Sequence, residues 1–182
     1  MICHTHTDAG WAETYDSYYH KVDRILEQVV KQLKKDTSLK FNWADTSFLA
    51  KWYRETDSEN RDKIHEVVES GQFNFMGSSW VMNDETLLEY KDMLLQYKVG
   101  LNWVEDTFGV KPRVAWHIDP FGASAVTPGL LADLGYEAIV LSRIGTTLYD
   151  ELEDSSSTEF LWSAAPFNGQ PQEILAHALV NS

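Results

Sequence analysis

Between Tyr15 and Lys35, apolar side chains recur three or four positions apart at Val22, Ile25, Leu26, Val29, Val30 and Leu33. That spacing predicts an amphipathic helix over 15–35. Lys34 and Lys35 in its last turn suit the helix dipole. The aromatic-rich Lys40–Ala44 predicts a short strand. Thr46 reads as the cap of a helix through Phe48, Leu49 and Trp52. A further helix starts at Ser58 and stops at Gly71. Phe73–Met76 reads as a strand. Leu87, Leu88, Met93, Leu94, Tyr97 and Leu101 mark a long helix over 84–108, ended by Gly109. Val114–Ile118 and Ala138–Leu141 read as strands around a helix over 127–134 that Gly135 ends. The unbroken AIVL implies burial on both faces. Beyond Asp154 the pattern weakens. FLW reads as strand-like, PFNGQPQ as a turn-rich loop, and the closing EILAHALVNS as a strand entering a loop.

Strands and helices thus alternate, which predicts parallel strands with helices outside. The polar segments His4–Trp11, Trp80–Glu85, Asp119–Ser124 and Ser142–Arg143 all follow strands. In α/β sheets and barrels that end carries the active site.

Composition narrows the partners. The 182 residues are 43% apolar with a formal net charge of −13, a globular balance. A surface so acidic disfavours nucleic acid and anionic membranes. A single cysteine, Cys3, excludes an internal disulfide. No apolar run reaches membrane-spanning length, and no signal peptide is recognisable. Both ends read as cut, within a dense polar motif at one and on an apolar strand at the other.

Four segments carry candidate chemistry. In HTHTDAGW, His4, His6 and Asp8 share one face of an extended chain by their spacing of two. Imidazole and carboxylate together suit zinc. Gly10 permits a sharp turn, and Trp11 offers a flat wall for a sugar ring. A lone HxH is more simply a polar strand end, and the attached Asp and Gly-Trp shift that balance. In AWHIDPFGAS, Asp119 follows an apolar strand directly, with Pro120 and Gly122 shaping a rigid turn. It reads as metal ligand, nucleophile or both, against a plain Asp-Pro turn. His117 shares its face and reads either as a support for it or as a core histidine. In SSWVMNDE, Asp84 and Glu85 at a helix start are explained by the dipole alone. Trp80 is a cleft or core residue. Arg143, directly after the buried AIVL strand, suits a forked grip on a carboxylate such as Asp119, or a structural ion pair.

In HTHTDAGW, WVMNDE, EDTFGVKPRVAWHIDPFGAS, LSR and EFLW, taken in order, the chain resembles the glycoside hydrolase family 38 α-mannosidases. It resembles the lysosomal acid branch more than the Golgi one. The resemblance implies that residues 1–182 are the N-terminal β/α-barrel part of the catalytic domain, a partial seven-stranded barrel of parallel strands. It implies zinc held by His6, Asp8 and Asp119, with Asp119 also the nucleophile. It implies substrate contacts from Asp8, Trp11, Phe121 and Arg143, while His4 matches a position that binds no metal. The implied substrate is a mannose-containing oligosaccharide or glycoprotein glycan, and the implied compartment a lysosome or vacuole. The implied reaction is hydrolysis with retention through a covalent glycosyl-enzyme. Thr7, Ala9 and Ala123 depart from the family pattern, Ala123 replacing a usual histidine. A fourth zinc ligand and the general acid have no counterpart in these motifs.

A different class of reading is a non-catalytic, metal- or sugar-binding remnant of the same domain. A metal-dependent polysaccharide deacetylase is a third, but no HxxxH pair supports it. An unclosed barrel exposes strand edges, so this chain alone is expected to be inactive and poorly stable.

Overall fold

The computed structural model describes residues 2–164 and 172–179. The chain folds as two compact units. One is Met1–Val81 with Leu95–Lys111, the other Met82–Leu94 with Pro112–Ser182.

The first unit is built on helix α1, Tyr15–Lys35, whose Tyr19, Val22, Leu26, Val30 and Leu33 are buried. These occupy the helical stripe that the sequence predicts. Thr14 caps its start by accepting from Ser17 N–H. Its last carbonyls are satisfied from outside the helix. The buried amide of Gln72 donates to Leu33 O at 2.8 Å and Asp36 O at 3.0 Å, filling the need that every helix C-terminus leaves. Strands β1 (Phe41–Trp43) and β2 (Phe73–Phe75) pair in parallel, and His4 forms an isolated parallel bridge to Asn42. Helices α2 (Thr46–Glu55) and α3 (Ser58–Glu69) separate them. The core joins the α1 stripe to Trp43, Phe48, Leu49, Trp52, Ile64, Val67, Phe73, Phe75 and Val104. Full burial of each such side chain contributes about 1.5–3 kcal/mol.

Thr46 does not cap α2. It is the first helical residue, and its hydroxyl donates to Ser78 O at 3.0 Å. The helix N–H groups at Thr46 and Ser47 donate to the carbonyls of Ser79 and Trp80, so neighbouring backbone does the capping. That same segment lies against α4 (Tyr90–Phe108) at Gly100. A Cβ there would sit 2.6 Å from the Ser79 carbonyl carbon and 2.7 Å from Trp80 N.

The second unit contains β3 (Val114–His117), α5 (Thr127–Asp133), β4 (Ala138–Leu141), α6 (Thr146–Asp154), β5 (Glu159–Ser163) and β6 (Glu173–Ala178). The sheet order is β3-β4-β6-β5. The first three strands are parallel, as alternation predicts. β5 runs antiparallel to β6, which corrects the all-parallel expectation. A helix of ordinary length would be needed for a parallel crossover between β5 and β6, and none is predicted between FLW and EILAHALVNS. Six strands in two sheets stand among the described residues, so a seven-stranded barrel is not seen as such. Two further expectations change. The long helix begins at Tyr90, not Asp84, because Asp84 Oδ1 accepts from Thr86 N–H at 2.7 Å and turns the chain. Helix α6 has no counterpart in the sequence reading; none of its residues is buried, so no apolar stripe announces it. Most of PFNGQPQ lies outside the described residues.

Candidate active site

In the first unit the motif His4–Trp11 runs along the edge of β1. Cys3 O accepts from Asn42 N–H at 2.9 Å. Thr5 and Thr7 line a small cavity with Val22, Trp43 and Phe48. Strand parity therefore turns His6 and Asp8 to the opposite face, where His6 Nε2 stands 3.4 Å from Asp8 Oδ1. A nitrogen and a carboxylate oxygen at that separation are a donor pair suited to a divalent cation. Trp11 is 83% exposed, available as a wall but covered by nothing in its own unit.

In the second unit, β3 delivers Asp119 one residue beyond Ile118. Arg143, two residues past β4, reaches it with an Nη2–Oδ1 distance of 2.6 Å. Adjacent parallel strands in register, with His117 opposite Leu141, place these two residues at the same sheet end. The guanidinium also lies over the Phe121 ring, 5.6 Å from its centroid. An open groove of about 690 Å³ runs from here between Phe121, Ala123, Arg143, Gly145, Leu148 and Tyr149. Charge, aromatic faces and small residues thus converge beside one carboxylate, the makeup expected of a polar ligand site.

Beneath this turn lies a group that the sequence explains as helix-start acid. The side chain of Glu85 is 3% exposed and that of His117 4%. Glu85 Oε1 is 3.0 Å from His117 Nδ1. Its Oε2 accepts from Ser124 N–H at 2.5 Å and from the Thr127 hydroxyl at 2.7 Å. Burial pushes the Glu85 carboxyl up, but the bonds from His117, Thr127 and Ser124 together hold it below its ordinary value. The available signal in the sequence is the pairing of this acid with a histidine that shares the face of Asp119. Helix-dipole logic hides it, since it accounts for Glu85 without any partner.

The model of the glycosyl hydrolases family 38 N-terminal domain matches residues 1–182. The chain belongs to glycoside hydrolase family 38. Alpha-mannosidase D of Dictyostelium discoideum is 31% identical over 180 residues, 98% of this chain and 15% of that protein. Alpha-mannosidase 2 of Arabidopsis thaliana is 33% identical over the same length and likewise 15% covered. The chain therefore spans about a seventh of the length of these relatives. Among solved structures, an α-mannosidase from Enterococcus faecalis V583 aligns over 97% of the chain and 19% of its own, with TM-score 0.79 and 17% identity. The 4-α-glucanotransferase from Thermococcus litoralis aligns over 98% of the chain and 27% of its own, with TM-score 0.65 and 13% identity. Both likenesses concern the fold. Among the described residues no helix is long and apolar enough to cross a membrane.

Proposed function

We propose that this chain supplies part of the catalytic face of a retaining, zinc-dependent α-mannosidase that removes terminal α-linked mannose from oligosaccharides or glycoproteins. The observation that carries this reading is Asp119, at a strand end, gripped by Arg143 at 2.6 Å. It stands in a family whose members similar to this chain are named α-mannosidases. The family resemblance assigns zinc to His6, Asp8 and Asp119, an imidazole and two carboxylates, donors of the kind that hold it. When bound, zinc supplies a template and Lewis acid for sugar hydroxyls.

The chain's own residues then divide the work. Arg143 occupies one oxygen of Asp119 and fixes the carboxylate plane. A carboxylate oxygen of Asp119 attacks the anomeric carbon as the glycosidic C–O bond breaks. The departing oxygen takes a proton from an acid that is not assigned to any residue here. Water then displaces Asp119 from the sugar, losing a proton, and the two inversions give retention. Trp11 and Phe121 offer apolar faces to the ring. A lysosomal or vacuolar location follows from the branch resemblance.

The test is hydrolysis of an aryl α-mannoside by the protein carrying this chain, with zinc content measured alongside. Asp119→Ala is expected to lower kcat by at least about 10³-fold, and NMR of the first product is expected to show the α-anomer. A variant keeping a tenth of the activity would remove Asp119 from the nucleophile's role.

A further inference from the structure

We propose that Glu85 and His117 are positioning residues that fix the turn carrying Asp119 from both sides. The proposal rests on Asp119 acting as assigned above. His117 stands two residues before Asp119, and Ser124 five residues after it. One carboxylate joins them: Glu85 Oε1 lies 3.0 Å from His117 Nδ1, and Oε2 takes the Ser124 N–H at 2.5 Å. Thr127, in the first turn of α5, adds a hydroxyl to the same oxygen at 2.7 Å. The six residues from Ile118 to Ala123 therefore leave one anchor of Glu85 and return to another. Thr86, next in sequence to Glu85, backs the turn at Gly122, where an added Cβ would lie 3.5 Å from the Thr86 hydroxyl. Gly122 has φ +128, a conformation few other residues adopt, so the turn's path is narrowly set.

Stability alone is a poor account of this pair. An ionised carboxylate and its partner both lose water on burial, and an apolar pair of similar volume commonly serves stability as well or better. What such a network adds is direction. Both Glu85 oxygens are committed, one to β3 and the other to the far side of the turn. The carboxylate thus cannot rotate without losing donors on one side. Supporting hydrogen bonds of this kind around functional side chains commonly change affinity or activity by about 10–100-fold when removed.

The test compares wild type, Glu85→Gln, Thr127→Val and the surface control Glu137→Gln in the protein carrying this chain. It reads kcat and KM on an aryl α-mannoside, and amide hydrogen exchange across residues 118–127. Glu85→Gln keeps the volume but removes the charge and replaces one acceptor oxygen by a donor, which holds the His117 side only if Nδ1 turns from donor to acceptor. The expected result is a kcat lower by about 10–100-fold with KM within about threefold. Ser124 exchange is expected to be at least about tenfold faster, with α1 unchanged. Thr127→Val removes a single donor and is expected to give a smaller loss of the same kind, about 3–10-fold, even if Glu85→Gln fails to fold. Glu137→Gln changes neither readout. Faster Ser124 exchange with unchanged kcat would reduce the pair to structure, and unchanged Ser124 exchange would remove the clamp. Should wild type prove inactive on mannosides, the nucleophile assignment fails first, and with it the positioning role, whatever the exchange shows.

Discussion

Gly100→Ala tests how tightly α4 is held in the first unit. The new methyl would overlap three backbone atoms, the Ser78 oxygen most closely, then Ser79 C at 2.6 Å and Trp80 N at 2.7 Å. None belongs to a flexible side chain, so backbone must move. Those groups are already engaged. Ser78 O accepts from the Thr46 hydroxyl at 3.0 Å, Ser79 O from Thr46 N–H at 3.1 Å, and Trp80 N–H donates to Gln96 O at 2.9 Å. Overpacking costs about 1–3 kcal/mol, and loosening one or two buried hydrogen bonds adds about 1–3 kcal/mol. Alanine regains about 1 kcal/mol in helix propensity. The balance is a loss of about 3 kcal/mol, or about 6–12 °C in Tm for a chain of this size. Thermal unfolding followed by circular dichroism measures it, with Gly145→Ala as the reference because nothing lies within 4 Å of a Cβ there. A loss below about 1 kcal/mol, or one equal to that of Gly145→Ala, would refute the close approach.

Three other outcomes follow. Gln72→Ala should cost about 1–3 kcal/mol in urea unfolding, because the Leu33 carbonyl loses its side-chain donor and the Asp36 carbonyl keeps only the Leu39 N–H at 3.3 Å. Arg113→Ala should change stability by less than about 1 kcal/mol by the same assay, since its ion pair with Glu137 is 71% and 59% exposed. The lowered folded-state pKa of Glu85 stabilises the native state above the unfolded carboxyl value of 4.5, and this is lost as pH falls through the folded value. The acid limb of an unfolding profile should therefore be shallower in Glu85→Gln than in wild type.

The parts of this fold that sequence reveals are those where one residue's neighbours lie along the chain. Helix α1 matches its predicted bounds of 15 and 35, because its stripe of Val22, Leu26 and Val30 is a local repeat. Strand β4 matches as well, because AIVL is uniformly apolar. The start of α4 is misplaced, because the Asp84 side chain competes for the local N–H groups. The cap of α2 is misread, because its acceptors come from residues 79 and 80. At the site, the Asp119–Arg143 pair is legible because each residue lies two positions past a strand, and those strands pair in register. The partners of Glu85 lie 32 to 42 residues away, and no spacing rule reaches them.

The first unit is assembled from two stretches of chain, interrupted by Met82–Leu94. Val104, contributed by the second stretch, is fully buried in the same core as Trp43 and Phe75. During synthesis, the stretch up to Val81 leaves the ribosome ahead of Val104, with that side of its core uncovered. Domains fold as units and expose apolar surface until complete, so this one stays open to chaperones and to wrong partners until residue 111 has emerged.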